Sequence, residues 1–157
     1  MDKDKINIEQ IVFRELTAED ICSCTNLILC VYEQDGLIEN ETKESIAKDL
    51  KQSLCCENYK EKYFIAEFNK EIVGVAGVAQ SFMSNSSFEL FYGTVKKDFQ
   101  RIGIGSYLTK LRIEYIKEIK KHGYIFVSAR YPKFFEKIGF NSIINKKNDG
   151  AICFIEF

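Results

Sequence analysis

Val95-Lys-Lys-Asp-Phe-Gln-Arg-Ile-Gly-Ile-Gly105 is the stretch from which the fold can be read. An extended apolar segment, Phe88 to Val95, leads into it, and an amphipathic helix, roughly Ile104 to Lys120, leads out. Two glycines stand where the loop turns into the helix. The first amides of a helix have no intrahelical acceptor and lie at the positive end of its dipole. Without side chains in the way, a phosphate can reach those amides. The segment therefore reads as strand, anion loop and helix. A bare GxG also serves as a tight turn that packs a helix closely on a strand, so the surroundings must decide.

Two common phosphate binders are excluded at once. There is no GxxxxGK[ST], hence no nucleoside-triphosphate loop. There is no third glycine of GxGxxG, and the strand lies mid-chain rather than opening a βαβ unit, which argues against a dinucleotide fold.

Working outward, Val12 to Leu16 reads as a first strand, with a helix after it that has Thr17 as N-cap and Asp20 at the third helical position. That helix ends near Asp35-Gly36. A second helix spans roughly Thr42 to Leu54, with Ile46, Leu50 and Leu54 on one face. Tyr63–Phe68 and Glu71–Phe82 flank Asn69-Lys70 and predict a hairpin. Met83 to Ser87 is a second turn. In the helix after the glycine loop, Ile104, Leu108, Leu111, Tyr115 and Ile119 recur at steps of three or four, marking a buried face. Tyr124 to Ala129 is another strand, Pro132 opens a short helix from Lys133 to Ile138, and Gly139 ends it. Phe140–Asn145 and Ala151–Phe157 form a closing hairpin around Asn148-Asp149-Gly150. The order β-α-α-β-β-β-α-β-α-β-β is an α/β pattern on a mixed sheet.

The chain has 157 residues, 46% of them hydrophobic, enough for one domain (1–157) with a real core. A net charge of −1 without a basic stripe argues against nucleic acid as a partner. No apolar run reaches membrane-spanning length, and residues 1–10 are too polar for a secretory signal. Six cysteines include no CxxC pair, and His122 is the only histidine, so no metal site is expected. Cys30 and Cys153 read as small core side chains in a reduced, cytoplasmic protein. A redox role for the vicinal Cys55-Cys56 pair is the alternative.

Gln100-x-x-Gly103-x-Gly105, with Val95 eight residues ahead of Gly103, resembles the acyl-CoA loop of the GNAT superfamily, the Gcn5-related N-acetyltransferases. Phe134-Phe-Glu-Lys-Ile-Gly-Phe140 is similar to the aromatic–Glu–Lys–x–Gly–Phe segment after that family's fifth strand. The resemblance implies a mixed, mostly antiparallel sheet of about seven strands with about four helices, splayed between strands four and five. It implies acetyl-CoA as cosubstrate. Gln100, Arg101, Ile102, Gly103, Ile104, Gly105 and Ser106 would hold the pyrophosphate, with Arg101 adding a charged contact. Thr94 and Val95 would pair with pantetheine, an N–H near Gly93 would polarise the thioester, and Phe134 would pack along the coenzyme A arm.

The implied reaction is transfer of an acetyl group to a primary amine of a small molecule or protein, by direct attack on the thioester. A base must take the amine proton, and the leaving thiolate benefits from an acid. Glu89, fourteen residues before Gly103, stands where the family's histone-acetyltransferase branch has its general base; a strand carboxylate on the surface is the plain alternative. The acid departs from the pattern: Phe135 occupies the place of the family's tyrosine. Tyr131 and Tyr92 are the nearest substitutes, and Ser128 is a further polar contact. Phe135 motivates the rival reading, a non-catalytic acyl-CoA-binding or regulatory domain. Glu33, Asp35, Glu39, Glu41 and Glu44 could steer a cationic acceptor, or simply be a solvated helix junction. Members of this family often form homodimers, through sheet edges or the last strands.

Overall fold

The computed structural model describes residues 6–36, 42–55, 60–144 and 150–157. The readings made on Glu39, Glu41, Cys56, Asn148 and Asp149 lie outside these residues. Seven strands form one sheet: β1 (Val12–Glu15), β2 (Lys62–Phe68), β3 (Glu71–Gln80), β4 (Ser87–Val95), β5 (Tyr124–Ala129), β6 (Asn141–Ile144) and β7 (Ala151–Glu156). Their spatial order is β1-β2-β3-β4-β5-β7-β6. The helices are α1 (Ile21–Asp35), α2 (Lys43–Ser53), α3 (Ile104–Ile119) and α4 (Pro132–Glu136).

Local chemistry accounts for most of the boundaries. Asn69 and Lys70 both adopt positive φ, 49° and 67°, the two-residue turn whose twist suits a hairpin. Gly36 closes α1 in the left-handed conformation, its N–H donating to Glu33 O. A turn at Ala18–Asp20 opens α1. There the Asp20 carboxylate accepts from Thr17 N–H and from both Nη groups of Arg14, and Arg14 also pairs with Glu67. One cluster thus ties β1, β2 and the start of α1 together.

The sheet has a core on each face. On one, α3 packs Ile104, Leu108 and Ile116 against Val73, Val78, Phe88 and Leu90. On the other, Cys24, Leu27 and Ile28 of α1 and Ile46 and Leu50 of α2 meet Tyr63, Ile65, Val75 and Tyr92. Two expectations need correction here. Cys30 is exposed and Cys24 is the buried cysteine of α1, because the inward stripe runs Cys24-Leu27-Ile28 and position 30 falls on the far side. The buried line of α3 is Ile104, Leu108, Arg112 and Ile116; Leu111, Tyr115 and Ile119 flank it, partly buried.

Two irregularities shape the middle of the sheet. All neighbouring strands are antiparallel except β4 and β5, which run parallel and pair only from Ser87–Tyr124 to Leu90–Val127. Beyond that point β4 stays with β3 through Val95 and β5 stays with β7 through Ala129, so the two strands part. The second irregularity is a bulge. Phe91 lies opposite Gly77 and Thr94 opposite Val75, so Tyr92 and Gly93 together face Ala76. Tyr92 takes φ 47°, and Phe91 and Tyr92, consecutive in sequence, both pack on the α1–α2 face. Gly77 permits this: a Cβ there would sit 2.6 Å from the Phe91 ring and 2.7 Å from that of Tyr63.

Candidate active site

Where β4 leaves the gap, a short turn at Lys97–Phe99 buries the Phe99 ring against Phe68 and anchors the loop. Gln100 braces it. Its side-chain Nε2 donates to Val95 O at 3.0 Å, and its own N–H turns back to Lys97 O. The amides free to face an anion therefore begin after it. Arg101 has φ 68°, and Gly103, at φ 100°, stands as N-cap of α3. Ile104, Gly105 and Ser106 follow in the first turn, where N–H groups have no intrahelical acceptor. A side chain at Gly105 would meet the Phe134 ring at 3.6 Å and Val95 Cγ2 at 3.9 Å, so Phe134 of α4 leans over this turn. From the other side, Ile8 Cδ1 lies 2.9 Å from where a Gly103 Cβ would be. Ile8 belongs to a turn at Ile8–Gln10 closed by a capping box between Asn7 and Gln10.

Along β4, Thr94 is buried with its hydroxyl 3.5 Å from Val75 O, and Val95 packs with the α3 core. One edge of this segment pairs with β3; the other borders the gap. Gly93 sits exposed in the bulge. Three residues before the bulge begins, Glu89 is half-buried on the face shared with Phe91, opposite Phe126 of β5. The hydroxyl of buried Ser81 donates to Glu89 Oε1 at 2.7 Å and accepts from Met83 N–H. That bond fixes the carboxylate's direction.

The aromatic candidates separate. Tyr131 precedes α4 at the end of β5, 61% exposed, with Arg130 6.0 Å from its ring. Tyr92 donates its hydroxyl to Asp49 Oδ2 at 2.9 Å, on the α1–α2 side. Its proton is engaged there, and the ring stacks with Tyr63. Phe135 lies edge-on to Phe134 and Phe140 at the margin of the core, a packing position. Ser128 and His122 are exposed. Among the described residues no group of three His, Cys, Asp or Glu is placed to hold a metal, and no helix is long and apolar enough to cross a membrane.

Arg112 is the residue the sequence reading did not single out. It is 3% exposed, in the middle of the buried line of α3. Nε donates to Leu108 O, Nη2 to Thr109 Oγ1 at 2.9 Å, and Nη1 to Gly77 O at 3.2 Å, where the bulge breaks the ladder. All three acceptors are neutral. Burial pulls its pKa down to about 9, with no charged neighbour among the described residues offsetting that, and the group stays cationic at neutral pH. Leaving such a charge without a carboxylate costs roughly several kcal/mol. Both Nη atoms lie 3.8 Å from the point a Gly93 Cβ would occupy. The guanidinium is thus directly under the bulge. A helix-face reading that counts apolar residues passes over it; a charge within an i, i+4 row of buried positions was the available signal. The Asn7-Ile-Glu-Gln10 capping box was likewise legible in sequence.

Comparison with known proteins agrees with this geometry. A model of the family described as the acetyltransferase (GNAT) domain matches residues 28–157. Among solved structures, a GNAT-family acetyltransferase from Staphylococcus aureus Mu50 superposes with a TM-score of 0.76 at 18% identity, covering 93% of this chain and 98% of that one. The PaiA N-acetyltransferase of Thermoplasma acidophilum, in complex with coenzyme A, gives 0.74 at 15% identity, covering 94% and 99%. N-acetylglutamate synthase from Neisseria gonorrhoeae, complexed with coenzyme A and N-acetyl-glutamate, gives 0.72 at 17% identity over 93% of this chain and 35% of that one. At such identities the likeness concerns the fold. The sequence matches none of the curated proteins compared with it. With the family model extending from the middle of α1 to the last residue, the glycine loop and the parted strands have a common explanation: this chain belongs to the GNAT acetyltransferase family.

Proposed function

We propose that this protein is an N-acetyltransferase that moves the acetyl group of acetyl-CoA to a primary amine of a small molecule or protein. The observation that carries the proposal is the junction of two features. The gap between β4 and β5 opens beside the Tyr92–Gly93 bulge, and the open first turn of α3 stands further along the same backbone. The two relatives that hold coenzyme A support the choice of donor.

Acetyl-CoA supplies the acyl group in activated form, as a thioester. Backbone amides from Arg101 to Ser106 receive the pyrophosphate, Phe134 packs along the arm, and the free edge at Thr94 and Val95 pairs with pantetheine. An N–H near Gly93 polarises the carbonyl. Glu89, held by Ser81, takes the amine's proton directly or through water. The N–C bond forms, the C–S bond breaks, and the electron pair leaves with sulfur. Tyr131, exposed between β5 and α4, would return a proton to the thiolate; solvent can do the same. The acceptor enters from the α1–α2 side, in a cytoplasmic protein that works alone or as a homodimer.

The test is release of free thiol from acetyl-CoA across a panel of primary amines, beside thermal protection by acetyl-CoA. Sustained turnover is expected, falling roughly 100-fold or more in Glu89→Gln with the acetyl-CoA KM unchanged. A protein neither bound nor protected by acetyl-CoA would sink the proposal. Protection without turnover would favour the second reading, an acyl-CoA-binding regulatory domain, which rests on Phe135 standing where a phenol was expected.

A further inference from the structure

Arg112 needs a reason to be charged. Its three hydrogen bonds go to Leu108 O, Thr109 Oγ1 and Gly77 O, none of them anionic. A neutral amide side chain could serve carbonyls and a hydroxyl without bringing an unpaired charge into the interior. The position itself is apolar in character: one turn before it is Leu108 and one turn after it is Ile116, both buried. A single feature of the surroundings gives the charge a use. The guanidinium lies beneath Gly93, in the bulge at the head of the strand gap, with both Nη atoms 3.8 Å from where a Gly93 Cβ would sit. Gly93 is exposed on its far side.

We infer that Arg112 is an electrostatic positioning residue for acetyl transfer, its buried charge acting through the Gly93 peptide on the negative charge that develops at the thioester. This rests on the acetyl-CoA reading above. In the step concerned, the amine nitrogen bonds to the carbonyl carbon, charge gathers on the carbonyl oxygen, and the C–S bond then breaks with its electrons going to sulfur. The amine's proton goes to Glu89. Both sites of negative charge, oxygen and then sulfur, are within one bond of the carbon that the bulge addresses. A cation held in low dielectric and already desolvated acts on them without reorganising. It also fills the place left by Phe135, because a thiolate stabilised by a fixed charge leaves without needing an immediate proton.

The inference can be tested without an acceptor and without turnover. Coenzyme A bound to the protein is titrated by the ultraviolet absorbance of its thiolate, with desulfo-coenzyme A as the blank that removes the protein's own cysteines. In the wild type the bound thiol should titrate roughly one unit below the free thiol. Arg112→Lys should keep most of that shift, and Arg112→Gln, which retains hydrogen-bond donors but no charge, should lose it. In the amine assay Arg112→Gln should lower kcat roughly tenfold with the acetyl-CoA KM unchanged. If the wild type binds coenzyme A and its thiol titrates as in solution, or if Arg112→Gln keeps the shift, the inference is wrong while the acetyl-CoA reading stands. If coenzyme A gives no thermal protection to the wild type, both fall together. Should the variants fail to fold, the wild-type titration still decides.

Discussion

The glycine loop and the strand gap adjoin on one backbone, yet they are built by different means. From Arg101 to Ser106 the loop offers main-chain amides, and its side chains serve to hold it in place. Phe99 anchors it from below, Gln100 ties it to Val95 O, and Ile8 and Phe134 close on it from either side. In the gap the proposed chemistry rests on side chains: Glu89 held by Ser81, Tyr131 exposed after β5, and Arg112 beneath the bulge. A backbone-built site depends on conformation at a few glycines, whereas a side-chain-built site depends on which face each residue presents. The first should fail abruptly when a conformation is lost. The second should fail in steps, group by group.

The largest expected effect breaks the loop. Gly103 combines φ 100° with Ile8 Cδ1 at 2.9 Å from the missing Cβ. Gly103→Val must strain the backbone and push Ile8 away, disturbing the turn where the amides converge. Thermal protection by acetyl-CoA should vanish, with affinity down roughly 100-fold, because the amide donors all move together. If protection survives, the pyrophosphate is held elsewhere.

The same difference explains what could be read in advance. Gln100-x-x-Gly103-x-Gly105 is local, and so are the signals around it: the Asn69-Lys70 turn, Gly36 at the end of α1, Pro132 at the start of α4. Each acts within a few residues of itself, so the order of elements followed from pattern, and the parted strands from the family resemblance that the glycine loop carries. The gap's chemistry is non-local. Whether Tyr92 faces α3 or α1 depends on a bulge, and the bulge depends on Gly77 of the neighbouring strand accommodating the Phe91 ring. Periodicity places Tyr92 on the face of Leu90; the bulge turns it to Asp49. Arg112 escaped for a related reason. Its guanidinium reaches the Gly77 carbonyl on β3, and nothing within α3 announces that acceptor.

A second variant addresses that dependence. In Gly77→Ala the new methyl would lie inside contact distance of both Phe91 and Tyr63, so the rings must give way. Overpacking of this kind costs about 1–3 kcal/mol, readable as a lower denaturation midpoint. The activity should fall further than the stability alone explains, because the bulge carries Gly93 and sits over Arg112. Acetyl-CoA protection should persist, since the loop is not touched. Loss of both together would mean that loop and gap are one mechanical unit, and the contrast drawn between them would be false.

The smallest effect sharpens the comparison by touching neither the loop nor the gap. Arg14 bridges Asp20 at the start of α1 and Glu67 on β2, and α1 covers the face of β4 that carries Tyr92. The Arg14 hydrogen bonds, with Thr17's help against the opposing effect of burial, hold the Asp20 carboxyl well below its ordinary value, at about 2. A lowered folded-state pKa means that stability is fully present above the unfolded value of about 4. It is then lost as pH falls through about 2. Because Arg14 is partly exposed, solvent screening limits the contribution to about 1 kcal/mol. Asp20→Asn should lower the midpoint of unfolding slightly at neutral pH and flatten the decline between about pH 4 and pH 2. Acetyl-CoA protection should be unchanged, and any loss of turnover should appear as a raised KM for the amine, because α1 helps frame the side proposed for acceptor entry. A raised KM for acetyl-CoA instead would place the donor against α1, on the opposite face of the sheet from α3, and the assignment of the two faces to donor and acceptor would have to be reversed.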